Sequence, residues 1–437
     1  MKSRIAILYA VMALALLVVG HFQSWNVALT ILNLCLISAV MAIGVNIQWG
    51  YAGLYNVGIM GFAALGGVAA VLVSHPPVAE AWGAGGLGIV YTFFALLGTI
   101  GAIVFVRSKT SGSLRTWATA VVAVAGWLSM RELYGPATTA IERVDPAGTG
   151  FLGGLELPII FSWIVGGLFA AGAAWVVGKV ALGLRSDYLA IATLGISEII
   201  ISIIRNEEWL TRGVKNVVGL PRPVPFEIDL QRAEWFLDLS ARFGADPIMF
   251  STIYVKILYA LLFAAVLIIV FWLAETALNS PWGRMMRAIR DNRDAAEAMG
   301  KDVTGRHLQV FILGSAVVGI AGAMLTTLEG QLTPGSYNPL RFTFLIWVMV
   351  IVGGSGNNWG AVLGAFLIWF VWVEAEPVGN WLMSQLTGGL PETSAVRAQL
   401  LSAAPHMRLF VMGLILLLVL RYAPRGLIPE RGGRGLG

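Results

Sequence analysis

Long runs of apolar residues alternate with short polar connections along this chain, and they predict an all-α protein. A helix needs about 20 mostly apolar residues to cross a bilayer, so the pattern predicts a transmembrane bundle of about 10–12 spans, some short or broken. We place the spans at residues 5–22, 27–48, 56–73, 87–106, 116–133, 159–180, 188–204, 253–275, 308–328, 342–353, 358–376 and 407–421. Because 342–353 is too short for a straight crossing, we expect a broken or re-entrant helix there.

Basic residues cluster in the connections on one side of this bundle. The clusters are Lys2 and Arg4; Arg107, Lys109 and Arg115; Lys179 and Arg185; Arg284, Arg287, Arg290, Arg293, Lys301 and Arg306; and Arg421, Arg425, Arg431 and Arg434. With twelve crossings all of them fall on the same side, which the positive-inside rule assigns to the cytoplasm. We therefore expect both termini to be cytoplasmic, and the first apolar run to be a retained span rather than a signal peptide.

Composition agrees with a lipid environment. Of the 437 residues, 57% are hydrophobic and 12% are charged, against about 25% charged in a soluble domain. We expect one transmembrane domain over 1–437, without a soluble domain. The net charge of +5 does not indicate nucleic-acid binding, because the basic residues lie in loops between apolar runs. The single cysteine, Cys35, reads as a buried packing residue. No metal site is predicted, because the four histidines lack ligand spacing.

The most informative connection is residues 279–306, which lies on the basic side. Pro281 and Gly283 break the preceding span, apolar residues then recur between charges at helical spacing, and Gly300 is a stop signal. The pattern predicts an exposed amphipathic helix with a methionine-bearing stripe. Methionine adapts to partner surfaces, but the pattern alone fits equally well a helix lying on the lipid surface.

The stretch Asp294-Ala295-Ala296-x-x-x-Gly300 resembles the EAA motif of ATP-binding-cassette (ABC) importer permeases, with Asp in place of Glu. The later Ile-x-Leu-Pro part of that motif is poorly matched at 310–313. In that family the motif forms a helix that docks on the ATPase subunit. The resemblance therefore implies that Arg290, Asp294, Ala295, Ala296 and Gly300 belong to a cytoplasmic coupling loop over 279–306.

Three further stretches resemble the branched-chain amino acid permeases of the LivM type, and with the loop they stand in the family's order. They are the glycine-rich stretch 46–62, the stretch from Arg185 to Ile199 with its continuation to Pro221, and the stretch from Met349 to Ala365. Residues 80–155 look like an insertion of extra spans relative to the family, and they place the substrate assignment most in doubt.

The resemblance implies a permease subunit in a bacterial inner membrane. Its implied partners are a second homologous permease, two ATP-binding-cassette ATPase subunits and a periplasmic substrate-binding protein. The substrate would be a branched-chain amino acid or a related small polar solute; urea or a short amide is the alternative within the family. The chain lacks the Gly-Lys-Ser/Thr ending of a Walker A loop, so we expect no enzyme activity, no bound cofactor, and ATP use by the partner ATPases alone.

Polar and glycine residues near two spans are candidates for the pathway. Asp187 and Glu198 are eleven residues apart, about three helical turns, and therefore share a helix face. An acid at membrane depth faces water or protein, so pathway lining and helix packing both remain open for Glu198. Dense glycine likewise permits either close helix packing or a backbone that contacts substrate. The candidate set is Asn46, Gln48, Gly53, Asn56, Gly58, Asp187, Thr193 and Glu198.

Two other classes compete with the importer. An ion-coupled secondary transporter or channel would carry several intramembrane ionisable groups or an inverted repeat. The chain offers one good candidate acid, and no repeat is evident. A membrane-embedded enzyme would need a catalytic set, and none is visible in the sequence.

Overall fold

The computed structural model describes residues 2–146, 148–391 and 394–430, and within them the chain is almost entirely helical. The predicted tail residues Arg431 and Arg434 lie outside the described part. The helices of the first half are α1 Lys2–Phe22, α2 Trp25–Val45, α3 Ile59–Ser74, α4 Ala79–Ala81, α5 Leu87–Lys109, α6 Gly112–Val144, α7 Ile160–Ala181, α8 Ser186–Asn206 and α9 Glu208–Thr211. Those of the second half are α10 Glu227–Arg232, α11 Glu234–Arg242, α12 Pro247–Asn279, α13 Pro281–Asp291, α14 Arg293–Ala298, α15 Val303–Glu329, α16 Pro339–Gly353, α17 Asn358–Leu386, α18 Ala395–Ser402 and α19 Met407–Tyr422.

All twelve predicted spans coincide with helices. Within the described residues, nine helical segments are long and apolar enough to cross a membrane, while α3 and α16 are apolar but shorter, with 16 and 15 residues. The short α16 agrees with the expected incomplete crossing at 342–353. Helix α6, over the predicted span 116–133, has 33 residues but is not among the nine, and it carries Arg131, Glu132 and Glu142.

The core of the bundle is built by helices whose backbones nearly touch. Helix α2 is the most buried of the long helices and packs against α1, α12, α15 and α17. A Cβ atom at Gly66 of α3 would lie 1.9 Å from the carbonyl oxygen of Gly319 in α15, and one at Gly322 would lie 2.0 Å from that of Ala63. Lipid tails are as apolar as leucine, so such close approach supplies much of the packing energy in a membrane.

The connections opposite the basic loops are partly ordered. Strands β1 Val217–Val218 and β2 Gln331–Leu332 form an antiparallel pair, with Val217 opposite Leu332. Helices α10 and α11 lie in the long connection between α8 and α12. We call the end of the bundle that holds α13 and α14 the basic end, and the end that holds β1 and β2 the sheet end.

The predicted insertion forms a hairpin of α5 and α6. Helix α5 packs along α6 and has no buried residue of its own. The hairpin joins the rest of the chain at the sheet end, where the buried residues Ala81, Ile141 and Leu152 form a small cluster and Trp209 Nε1 donates to the Tyr134 hydroxyl of α6 at 2.8 Å. It therefore extends from the bundle rather than contributing to its core.

Candidate coupling and translocation site

Between α2 and α3 the chain is irregular, on the side of the bundle that meets α13 and the α7–α8 turn. Helix α2 widens into a π-helical turn at Asn46–Gly50, and residues 53–58 are non-helical before α3 begins at Ile59. Gly53 has a φ of +70°, a conformation that glycine adopts without strain. This break lies within the glycine-rich stretch 46–62. Irregular backbone at membrane depth requires partners inside the protein.

Gln48 and Asn56 supply part of those partners. The Gln48 Nε2 donates to the Phe311 carbonyl oxygen at 2.9 Å and to Ser315 Oγ at 3.0 Å, and Gln48 Oε1 accepts from Asn56 Nδ2 at 2.9 Å. The Asn56 Oδ1 accepts from the backbone N–H of Gly58 at 2.9 Å. Both amide side chains are fully buried. They hold the irregular segment against α15.

Asn46 joins the same segment to the turn between α16 and α17. Its Nδ2 donates to Asn358 Oδ1 and its Oδ1 accepts from the Gly356 N–H, each at 2.9 Å. Asn358 in turn donates to Glu275 Oε1 on α12 at 3.0 Å. Sequence reasoning missed Asn358 and Glu275. The sequence signal that could have identified Asn358 is the pair Asn357-Asn358 after a glycine turn, because asparagine is a typical helix N-cap.

Helix α8 has two different faces. On one face Thr193 Oγ1 accepts from the Val57 N–H at 3.0 Å, and Ser197 Oγ accepts from the Gly61 N–H at 2.7 Å. On the other face Asp187 and Glu198 are both exposed, as their eleven-residue spacing predicts. Thr193 is therefore placed to anchor the irregular segment, whereas the two acids face away from this subunit's core. The role of Glu198 in the pathway stays a prediction.

The coupling loop differs in one respect from expectation. The single helix predicted over 283–300 is two helices, because Asn292 leaves helical geometry and caps α14, with its Oδ1 accepting from the Ala295 N–H at 2.9 Å. The methionine stripe is divided accordingly: Met286 is fully buried, whereas Met299 is 79% exposed. Gly300, with a φ of +74°, ends α14 as predicted.

The two helices enclose an apolar groove on the surface of the basic end. The groove has a volume of about 680 Å³, and its walls include Trp282, Met285, Ala295, Ala296 and Met299. Asp294 and Ala295 are exposed, and Ala296 is half-buried. Four of the five predicted coupling residues thus lie on or beside one solvent-accessible apolar surface.

Arg290, the fifth, connects this loop to the irregular segment that follows α2. Its Nη1 donates to the Gly50 carbonyl oxygen at the end of the π-helical turn, and its Nη2 lies 3.0 Å from Glu430 Oε2 in the C-terminal segment. Burial by itself lowers the pKa of Arg290, but the Glu430 and Asp291 carboxylates outweigh it and raise the pKa. Sequence reasoning missed Glu430, which lies 140 residues from Arg290 in the chain.

A Cβ atom at Gly53 would lie 3.1 Å from Arg290 Cγ, so the predicted pathway glycine packs directly on the predicted coupling arginine. The C-terminal segment completes the junction, because the N–H groups of Leu427 and Ile428 donate to the carbonyl oxygens of Val352 and Gly353. The loop, the irregular segment and the α16–α17 turn therefore form one connected unit.

A bundle of apolar helices, in which Arg290 joins an irregular segment to an exposed loop at one end, fits a membrane transport subunit. A family model described as "Branched-chain amino acid transport system / permease component" matches residues 27–420. The chain belongs to this family of membrane permeases.

Relatives agree with that assignment. The chain is 28% identical over 296 residues to the probable branched-chain amino acid transport permease protein LivM of Methanocaldococcus jannaschii, covering 68% of this chain and 74% of the relative. It is 28% identical over 210 residues to the high-affinity branched-chain amino acid transport system permease protein LivM of Escherichia coli K12, about half of each chain. A xylose transport system permease protein, XylH of Escherichia coli K12, is 31% identical over 96 residues, 21% of this chain and 24% of the relative. No solved structure matches the chain.

Proposed function

We propose that this chain is the permease subunit of an ABC importer that carries branched-chain amino acids or related small polar solutes across a bacterial inner membrane. Its partners are a second homologous permease, two ATP-binding-cassette ATPase subunits and a periplasmic substrate-binding protein. ATP is hydrolysed by the ATPases, and this chain conducts the substrate and transmits motion. Under this proposal the basic end faces the cytoplasm, and we expect both termini on that side of the membrane.

The observation that supports the proposal most strongly is the link from the exposed groove to the irregular segment through Arg290. A docking surface that changes position with ATP binding needs a rigid connection to the pathway. Here the Arg290 guanidinium contacts the carbonyl oxygen of Gly50 and pairs with Glu430, while the Cγ of the same side chain lies against Gly53. Movement of the α13–α14 groove would be carried directly to the broken end of α2.

The exposed acids of α8 fit the same proposal. Glu198 lies mid-helix and faces away from the bundle core. In an isolated subunit its carboxylate would face the bilayer, which is energetically unfavourable. A second permease, with a water-filled pathway between the two subunits, would provide the polar surroundings that the carboxylate requires. Asp187, near the basic end of the same face, would line the inner part of that pathway.

The first experiment is gentle purification of the tagged chain from its native membrane, with identification of what accompanies it. Co-purification of ATPase subunits and a second permease is expected, and Ala296→Glu in the groove should abolish ATPase recovery. Ala298→Glu, on the same helix but outside the groove, is the matched control. Uptake that stops on ATP depletion while ion gradients are clamped would separate the importer from a secondary transporter.

A homo-oligomer that purifies without ATPase and transports in liposomes without ATP would overturn the proposal in favour of a secondary transporter or channel. Uptake of urea or short amides, with no uptake of amino acids, would select the other substrate class of the family.

A further inference from the structure

A second pocket at the basic end shares one wall residue, Ile289, with the α13–α14 groove. It has a volume of about 220 Å³, and its walls come from the irregular segment after α2, the α7–α8 turn, helices α13 and α14, and the start of α15. Among the described residues that line it are two arginines, Arg290 and Arg293, and one histidine, His307, but no aspartate or glutamate. The pocket therefore favours an anion over a cation.

His307 brings to this pocket a buried polar atom that lacks a partner. The residue is 8% exposed, and its Nε2 is buried and forms no hydrogen bond within the described part of the chain. A buried polar atom left unpaired is unfavourable, and the imidazole belongs to the pocket wall. When Nε2 carries the proton it is a hydrogen-bond donor. An oxygen atom of a bound anion would be the acceptor that this ring lacks.

The two guanidiniums keep donors available for such an anion. Arg293 Nε pairs with Glu297 at 3.2 Å, an exposed pair of low stability, and its two Nη atoms have no partner among the described residues. Arg290 uses three of its five N–H groups on acceptors within the chain. The carboxylates of Asp291, Glu297 and Glu430 pair with these arginines from outside the pocket lining.

The first turn of α8 adds backbone donors to the same pocket. Ser186 and Leu189 of this turn line the pocket, and the N-cap residue, Arg185, provides no side-chain cap. The first N–H groups of a helix lack partners within the helix, and the helix N-terminus carries partial positive charge that attracts phosphate groups. Asp187, exposed in the same turn, reduces that charge but does not line the pocket.

We infer that this pocket binds a phosphate group, held by Arg293, His307 and the N-terminus of α8. Liquid water occupies about 30 Å³ per molecule, so the pocket holds roughly seven non-hydrogen atoms, enough for a phosphate group. Two sources offer this chemistry: the headgroup of an anionic phospholipid at the membrane surface, and phosphate in solution. The inference goes beyond transport, because binding requires neither the transported solute nor an ATPase. A bound phosphate would hold α14 and the start of α15 against α8.

The test measures the melting temperature of the full-length chain in detergent at rising concentrations of two pairs of probes. Dioleoylphosphatidylglycerol in mixed micelles is compared with dioleoylglycerol, which has the same acyl chains but no phosphate. Sodium phosphate is compared with sodium chloride at equal ionic strength. We expect the phosphate-bearing member of at least one pair to raise the melting temperature more than its counterpart. A shift in the lipid pair alone identifies a phospholipid as the source, and a shift in the salt pair identifies soluble phosphate.

Three variants locate the binding. Arg293→Gln removes an exposed charged donor and should raise the apparent Kd of the active probe by about tenfold or more. His307→Phe keeps a ring but removes its nitrogens, and it should weaken binding without lowering the melting temperature of the ligand-free chain. Arg284→Gln, exposed on α13 and outside the pocket, is the charge-matched control and should keep the wild-type Kd.

Two results would overturn the inference. Equal shifts within both pairs of probes would show that the chain does not recognise phosphate. A wild-type Kd in both Arg293→Gln and His307→Phe would place the binding elsewhere on the chain. Neither result bears on the importer function, which uptake and ATPase recovery test separately.

Discussion

The guanidinium of Arg290 donates to the carbonyl oxygen of Gly50, across 240 residues of sequence. This contact joins the helix that forms the groove to the turn where α2 loses its helical geometry. It therefore links the loop that a partner would contact to the irregular segment that follows α2.

Replacing Arg290 tests this link. Arg290→Lys keeps the positive charge but cannot reach Gly50 and Glu430 together, because a lysine ammonium lacks the planar fork of donors. We expect transport to fall by about tenfold or more, from the loss of a charged hydrogen bond, while ATPase subunits still co-purify. The measurement is uptake and ATPase recovery on the same preparation. Arg284→Lys, exposed on the same helix, is the control, and equal effects at both positions would contradict a specific role for Arg290.

Gln48 is predicted to be important for stability. Gln48→Leu leaves the buried amide of Asn56 and the carbonyl oxygen of Phe311 without this partner, at a cost of roughly 2–4 kcal/mol. A lower melting temperature and poorer size-exclusion homogeneity in detergent would report the loss. Gln399→Leu, at an exposed position of α18, should leave both measurements unchanged. An unaffected Gln48→Leu protein would mean that water or another group replaces the amide.

Glu198 is predicted to matter for transport and not for folding. Its side chain is exposed and has no hydrogen-bonding or ion-pairing partner among the described residues, so Glu198→Ala should leave the melting temperature of the isolated chain unchanged. If Glu198 lines the pathway as proposed, uptake by the assembled transporter should be abolished, because the pathway would lose this acid. Ile199→Ala, at the neighbouring exposed position, serves as the control. Normal uptake by well-expressed Glu198→Ala protein would rule out an essential role.

The α5–α6 hairpin is predicted to be dispensable for the bundle. Its two helices meet at Gly88 and Ala137, where a Cβ on Gly88 would lie 2.6 Å from the Ala137 Cβ. A short Gly-Ser linker can therefore replace residues 89–136 without moving either end. We expect a folded, monodisperse protein with a melting temperature close to that of the wild type. A deletion of equal length within the core α7–α8 pair is the comparison and should aggregate. If the hairpin deletion aggregates as that variant does, the hairpin is part of the fold.

Much of the site was predictable because its residue types are informative alone. Three kinds of position indicate a physical constraint from the sequence alone. They are the glycines at 53 and 300, the Asp-Ala-Ala stretch in a basic loop, and the polar residues at 46, 48 and 56 within apolar surroundings. The sequence did not reveal what each constraint was. Asn46, Gln48 and Asn56 were candidates for lining a pathway, and the structure gives all three buried partners within the protein.

The division of the coupling loop shows the same limit. Apolar residues at helical spacing predicted one continuous helix, but Asn292 competes for the backbone N–H of Ala295 and starts a new helix instead. Which methionines are buried then depends on how α13 packs under the bundle, and periodicity along one helix does not contain that information.

The amino-acid sequence by itself determined that this chain is an all-α membrane bundle, where its helices lie, and which loops carry basic charge. Those properties follow from local composition, because the cost of placing charge or unpaired backbone in lipid acts on each segment separately. Only the tertiary structure decided that Arg290 meets Gly50 and Glu430, that Gln48 meets Asn56 and α15, and that Ser186 and His307 line one pocket. Those contacts join residues far apart in the chain, and their formation depends on the packing of whole helices.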